Sequence, residues 1–178
     1  MVPEAPLARD ENGLQPAGDG WFVLNARDAH WYHTAELGSA CFFEGENARF
    51  DQLGINVNVL QPGQPGAMYH AEDAQEDFLV VAGQAILVAE GEERRLQTWD
   101  FVHCPAKTKH VIVAAGDRPC VYIAIGARRK GRALVYPVDD VARKHGAGVD
   151  TETSTPSEAY ARFEDGRFGP YRDSDLPD

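Results

Sequence analysis

The sequence predicts an all-β chain, and three observations carry that reading. Short apolar runs recur between turns rich in Gly, Pro and Asp. Ile55–Leu60 alternates apolar and polar residues, as a half-buried strand does. Val, Ile, Phe and Tyr dominate these runs, and no long 3.6-residue period appears. Short strands in this rhythm indicate a sandwich or a barrel.

Taken in order, residues 1–20 carry Pro, Gly and charges without periodic apolar pattern and read as a loose arm unless something packs on them. Trp21–Asn25 reads as a short strand, whereas Ala26–Ser39 gives no regular signal. Cys41–Phe43 and Ile55–Leu60 are strands, and Gln61–Gly66 is a double turn. Met68–Glu72, Asp77–Val81 and Gln84–Ala89 follow, the last two joined through Gly83 as in a tight reversal. Arg94–Gln97, Phe101–Cys104, His110–Ala114 and Cys120–Gly126 complete the set. Beyond Tyr136-Pro137 the pattern changes: Val138–His145 suits a turn or two of helix, and Ser157–Phe163 another with Ser157 as N-cap. The expected division is an arm over 1–20, a β-domain over 21–136, and a partly helical or irregular extension over 137–178.

Four residues carry the chemistry. His70 and Glu72 are two apart, so on a strand they share a face. Glu76 follows a short polar turn, and His110 opens a later strand. Two neutral imidazoles with one or two carboxylates from neighbouring strands form a donor set that divalent first-row metals accept. If Glu76 faces inward, so do Phe78 and Val80; if His110 does, so does Ile112, leaving an apolar pocket beyond the metal. The opposite face, with Leu79, Val81, Val111 and Val113, is apolar too and needs cover from a second layer or a partner subunit.

With these residues in place, the chain resembles the cupins, small jelly-roll β-barrels known by two motifs. In the first, His-x-His is followed by Glu and then Gly; His70, Glu72, Glu76 and Gly83 stand there, with Glu72 in place of the second His. In the second, Pro-x-Gly-x-x-His, the residues are Pro105, Lys107 and His110, and Trp99, Lys107 and Ala114 replace the usual Gly, Gly and Asn. The resemblance covers roughly residues 40–126. It implies a cupin-type jelly-roll β-barrel with non-barrel N- and C-terminal extensions, and a homodimer. It also implies a divalent transition metal (Zn, Fe, Mn or Ni) on His70, Glu76 and His110, with Glu72 as fourth ligand.

The bulk properties narrow the partners. A net charge of −11 repels nucleic acid and anionic membranes. The basic run Arg128-Arg129-Lys130-Gly131-Arg132 is isolated and reads as an exposed turn or a partner for the acidic tail. Three cysteines (Cys41, Cys104 and Cys120) form no CxxC, and no secretory signal is evident, so a reducing, cytoplasmic setting is expected. Cys104 reads as a small buried apolar residue, His103 as a strand histidine satisfied by the backbone, and His30 and His33 as packing or surface residues. Tyr69 should point away from the site. Three functions follow: a metal-binding cupin with a small-molecule pocket and oxygenase, isomerase or hydrolase chemistry; a non-catalytic metabolite binder; or a metal-free isomerase using a His–carboxylate pair.

Overall fold

The computed structural model describes residues 1–131, 133–173 and 175–176. Its elements in chain order are β1 (Leu7–Asp10), β2 (Gly13–Pro16), β3 (His30–His33), β4 (Ser39–Phe42), β5 (Leu53–Leu60), β6 (Ala71–Glu72), β7 (Glu76–Ala82) and β8 (Gln84–Ala89). There follow β9 (Glu92–Gln97), β10 (Phe101–Cys104), β11 (His110–Ala115), β12 (Cys120–Ala127), β13 (Leu134–Val135), α1 (Asp140–Lys144), α2 (Pro156–Ala159) and β14 (Arg167–Gly169). The fold class is all-β. Antiparallel pairing builds a seven-stranded sheet, β10-β7-β12-β5-β4-β3-β14, and a three-stranded sheet, β11-β8-β9. No helix among the described residues is long and apolar enough to cross a membrane.

The main core lies between these two sheets. Phe78 and Val80 of β7, Tyr122 of β12 and Leu60 of β5 meet Leu87 of β8, Leu96 of β9 and Ile112 of β11. This is the inward parity expected for Phe78, Val80 and Ile112. The outward apolar faces are covered by the chain itself. Val88, Val111 and Val113 pack against Tyr69, Ala142 and Ala147, so α1 and the residues after it serve as a layer over the smaller sheet. Val57, Val59, Val81 and Val121 share a face with Trp31 of β3 and pack against Leu24, Ala26, Ala29 and Tyr171. The cover sought from a partner subunit is therefore largely supplied from within.

Several expectations change in the folded chain. Within residues 1–20, β1 and β2 form a hairpin and Leu14 bridges Ala29, the packing on which the arm's order depends. Trp21–Asn25 forms no strand; only Trp21 pairs, with Glu4, because no further strand runs alongside it. The joint at Gly83 is no hairpin either. β7 pairs with β10 and β12, whereas β8 pairs with β9 and β11, so Gly83 passes the chain from one sheet to the other. Its φ is +75°, and a Cβ there would lie 2.3 Å from the Pro119 carbonyl oxygen. The second helix starts at Pro156 with Thr155, not Ser157, in the N-cap position, and the Thr155 side chain makes no capping bond.

Among the described residues, two of the three non-glycine residues with positive φ are Trp99 (+76°) and Lys107 (+75°). Both occupy positions where the cupin motifs place glycine, so the left-handed backbone persists without the residue that adopts it freely. Lys107 is held there because its N–H donates to the Glu72 carbonyl at 2.6 Å. Replacing Lys107 with Gly is expected to raise stability by about 0.5–1 kcal/mol, read from the urea midpoint. A lowered midpoint would mean that the lysine side chain contributes more than the backbone conformation costs.

Candidate metal centre

The site begins with backbone pairing. His70 and His110 are directly opposite in an antiparallel bridge, each N–H donating to the other's carbonyl at 3.2 and 2.8 Å. Opposed residues send their side chains to the same face, and the two imidazoles stand 5.0 Å apart, centre to centre. Glu76 begins β7, in register with Gly126 of β12 and Cys104 of β10. The turn before His110 is fastened to the first motif by the Lys107–Glu72 bond, so the two motifs are locked together before any side chain is considered.

The side chains then converge. Glu76 Oε2 lies 3.4 Å from Nε2 of His70 and 3.4 Å from Nε2 of His110. Each imidazole turns its Nδ1 to the carbonyl two residues earlier: His70 to Met68 at 2.7 Å, His110 to Thr108 at 3.0 Å. A carbonyl only accepts, so Nδ1 carries a proton in both rings, and Nε2 is the atom left to meet Glu76: with its lone pair when a cation lies between, or as a donor when the ring is protonated. Fixing the ring by its outer nitrogen is how metal-ligating histidines are oriented. The three donor atoms lie within 4.8 Å of one another. A separation of 3.4 Å matches the edge of a tetrahedron with bonds of roughly 2.1 Å, the range for Zn–N and Zn–O.

Burial sharpens the electrostatics. His110 is 2% exposed and Glu72 4%. On His70, burial opposes the charged form, but the Glu76 contact and charge, the Met68 carbonyl and the Glu72 charge outweigh it and raise its pKa above 6.5. On His110, burial and then the His70 charge push the pKa below 6.5, against the pull of the Thr108 carbonyl and Glu76. Without a cation the surroundings thus favour a proton on His70 and disfavour one on His110.

The remaining expected site residues fall as follows. Glu72 lies outside the cluster of three donors, buried close enough for its charge to act on His70. Phe78 touches the site, its ring 5.3 Å from that of His110. Val80 and Ile112 are packed into the core at 0% and 3% exposure and do not border the cavity that reaches Glu76. The cavity that does reach Glu76, about 580 Å³, runs past Gly54, Asn56, Ala124 and Gly126 to Arg128–Lys130. Small residues make it: a Cβ on Gly126 would meet Glu76 Cγ at an ordinary 4.0 Å and occupy that space. A separate cavity of about 660 Å³ along β8, β9 and β11 contains none of the four candidate donors.

Two aromatic residues near the donors were not singled out from sequence. The Tyr136 ring lies 6.0 Å from that of His70, and Tyr160 packs edge-on to Tyr136 at 5.8 Å. The Tyr160 hydroxyl accepts from the Met68 N–H at 3.1 Å, bracing the residue whose carbonyl holds His70. Tyr136 had been read only as the end of the β-domain; β13 pairing with β6 brings it to the site. Tyr69 points away, as expected, its hydroxyl accepting from Gly91 N–H.

His103 is on the outer face, bonded to Asp77 at 2.6 Å rather than to backbone. Burial, followed by the charges of Glu76, Asp77 and Glu90, pushes the Cys104 thiol up to about 11, which suits packing and not nucleophilic attack. His30 and His33 lie on strand β3, where a spacing of three puts them on opposite faces.

Residues 56–126 match the model of the Cupin domain. This span forms a cupin-type domain. A cupin-superfamily sugar phosphate isomerase from Silicibacter pomeroyi is similar at 20% identity and TM-score 0.50, over 85% of this chain and 83% of that one. The polyketide cyclase RemF from Streptomyces resistomycificus is similar at 14% identity and TM-score 0.53, over 62% and 82%. A protein from Acidithiobacillus ferrooxidans shares 26% identity at TM-score 0.45 over 47% of this chain, which spans 55% of its length. No curated protein matches by sequence. Within the cupin span lie His70, Glu76, Gly83 and His110; Tyr136 and Tyr160, which pack beside the donors, lie outside it.

The opposed histidine shifts give a pH signature. In metal-free protein, His70 is expected to stay protonated above pH 6.5 and His110 to stay neutral below it, read by nitrogen NMR of the imidazoles. The signs differ. The His70 proton stabilises the fold below 6.5, and that contribution fades as pH rises through its raised folded value. His110 resists protonation, so its contribution is present above 6.5 and is lost as pH falls toward its lowered folded value. Two rings titrating together near 6.5 would contradict the coupling.

Proposed function

We propose that this protein is a metal-binding cupin holding one divalent first-row metal on His70, Glu76 and His110, beside a pocket for a small molecule. The observation that carries the reading is the matched orientation of the two imidazoles. Each commits Nδ1 to a carbonyl and turns Nε2 to the same carboxylate oxygen. Two neutral imidazoles and one carboxylate leave coordination positions for water and substrate, which suits iron, manganese, nickel or zinc. Such an ion, when bound, supplies Lewis-acid activation of an oxygenated substrate or metal-assisted oxygen chemistry. Glu72 is proposed as a fourth ligand, its charge completing neutralisation of a divalent ion. Phe78, Tyr136 and Tyr160 exclude water on the protein side, and the Gly54–Gly126 cavity admits the ligand.

Elemental analysis of purified protein is expected to find about one equivalent of transition metal, lost in His110→Ala and released on acidification as Nε2 takes up a proton. Glu72→Gln is expected to weaken retention about tenfold in a chelator competition. Absence of metal after reconstitution with iron, manganese, nickel and zinc would contradict the reading.

A second reading is favoured by the opposed histidine shifts. A metal-free isomerase would use the His70–Glu76 pair for proton transfer, with His110 disfavoured for protonation beside it. Activity surviving complete chelation selects it.

A further inference from the structure

The run Arg128-Arg129-Lys130 borders the cavity that ends on Glu76. Three consecutive cations on one cavity are notable in a chain of net charge −11. Arg132 of the same run lies outside the described residues; among those described, the ion pairs of the run come from within the β-domain: Arg128 Nη2 contacts Glu44, and Arg129 Nη1 lies 3.8 Å from Asp73 Oδ2 and donates to its carbonyl at 3.2 Å.

These pairs leave donors to spare. A guanidinium carries five N–H donors in a fixed fork, so each arginine keeps several after one carboxylate is served. Lys130 is exposed and has no acidic partner within ion-pair distance among the described residues. The opposite wall is bare by construction. Gly54 and Gly126 are paired in register, and the Arg128 guanidinium lies 3.5–3.6 Å from where a Gly54 Cβ would stand. The cation therefore leans over the glycine floor. Asp51 and Glu76 are the acidic side chains on this wall, and Glu76 is turned to the two histidines. At about 580 Å³ the cavity is within the size range of small-molecule sites.

We propose that this cavity takes a small organic anion, its carboxylate or phosphate group held by Arg128, Arg129 and Lys130 and its other end directed to Glu76. This deepens the metal-site reading by naming a substrate class, and it rests on that reading only for the chemistry at the Glu76 end. A partly enclosed basic rim concentrates anions, and its attraction weakens with salt.

The test is calorimetric titration of the intact protein at low ionic strength with inorganic phosphate and with succinate, on chelated and zinc-loaded samples. Lys130→Ala is compared with Arg118→Ala, which removes an exposed cation beyond the opposite end of β12. At least one anion is expected to bind, about tenfold more weakly in Lys130→Ala and within twofold of wild type in Arg118→Ala. Preference for phosphate or for succinate identifies the anionic group. No binding of either anion, or equal effects of the two substitutions, overturns the proposal. Zinc content of the same samples reports the metal site separately: anion binding without zinc sinks only the metal reading, and zinc without anion binding sinks only this one.

Discussion

One backbone pair governs the molecule: His70 and His110 exchanging both hydrogen bonds across an antiparallel bridge. That pairing sets two rings on one face, and the Met68 and Thr108 carbonyls then aim both Nε2 atoms at Glu76. Three donors in a buried setting need a cation, or a proton unevenly shared, and the opposed shifts of the two histidines express that need. The left-handed backbone at Lys107 belongs to the same constraint, because it delivers the N–H that ties the second motif to Glu72.

The regions outside the cupin span complete the structure that the pair begins. β13 adds to β6, Tyr136 settles beside His70, and Tyr160 braces Met68. Farther on, α1 and Ala147 cover the outer face of the small sheet. The N-terminal hairpin joins at Ala29 the segment that, with Leu24 and Ala26, packs on the outer face of the large sheet. The extensions thus join the core and the site, not merely the surface.

What the sequence made legible was local and periodic. Alternation gave most of the strands, and parity gave the inward face of Phe78, Val80 and Ile112, because side-chain direction on a strand depends only on residue count. Motif spacing drew out His70, Glu76 and His110. What it left hidden depended on pairing between distant segments. Tyr136 reaches the site only because Leu134 pairs with Glu72. Val80 and Ile112 face inward but are filled over by the opposing sheet, so parity could not tell lining from core. The basic run at 128–130 showed no function by composition; its meaning came from Gly54 and Gly126, whose pairing opens the space it borders.

The most direct test of the central claim is an anomalous-difference map from crystals grown with zinc and recorded at the zinc edge. The account predicts a single strong peak bonded, at roughly 2.0–2.2 Å, to Nε2 of His70, Nε2 of His110 and a carboxylate oxygen of Glu76. Zinc bound only elsewhere, or a cluster that stays empty at full zinc loading while its three side chains keep their geometry, would contradict it.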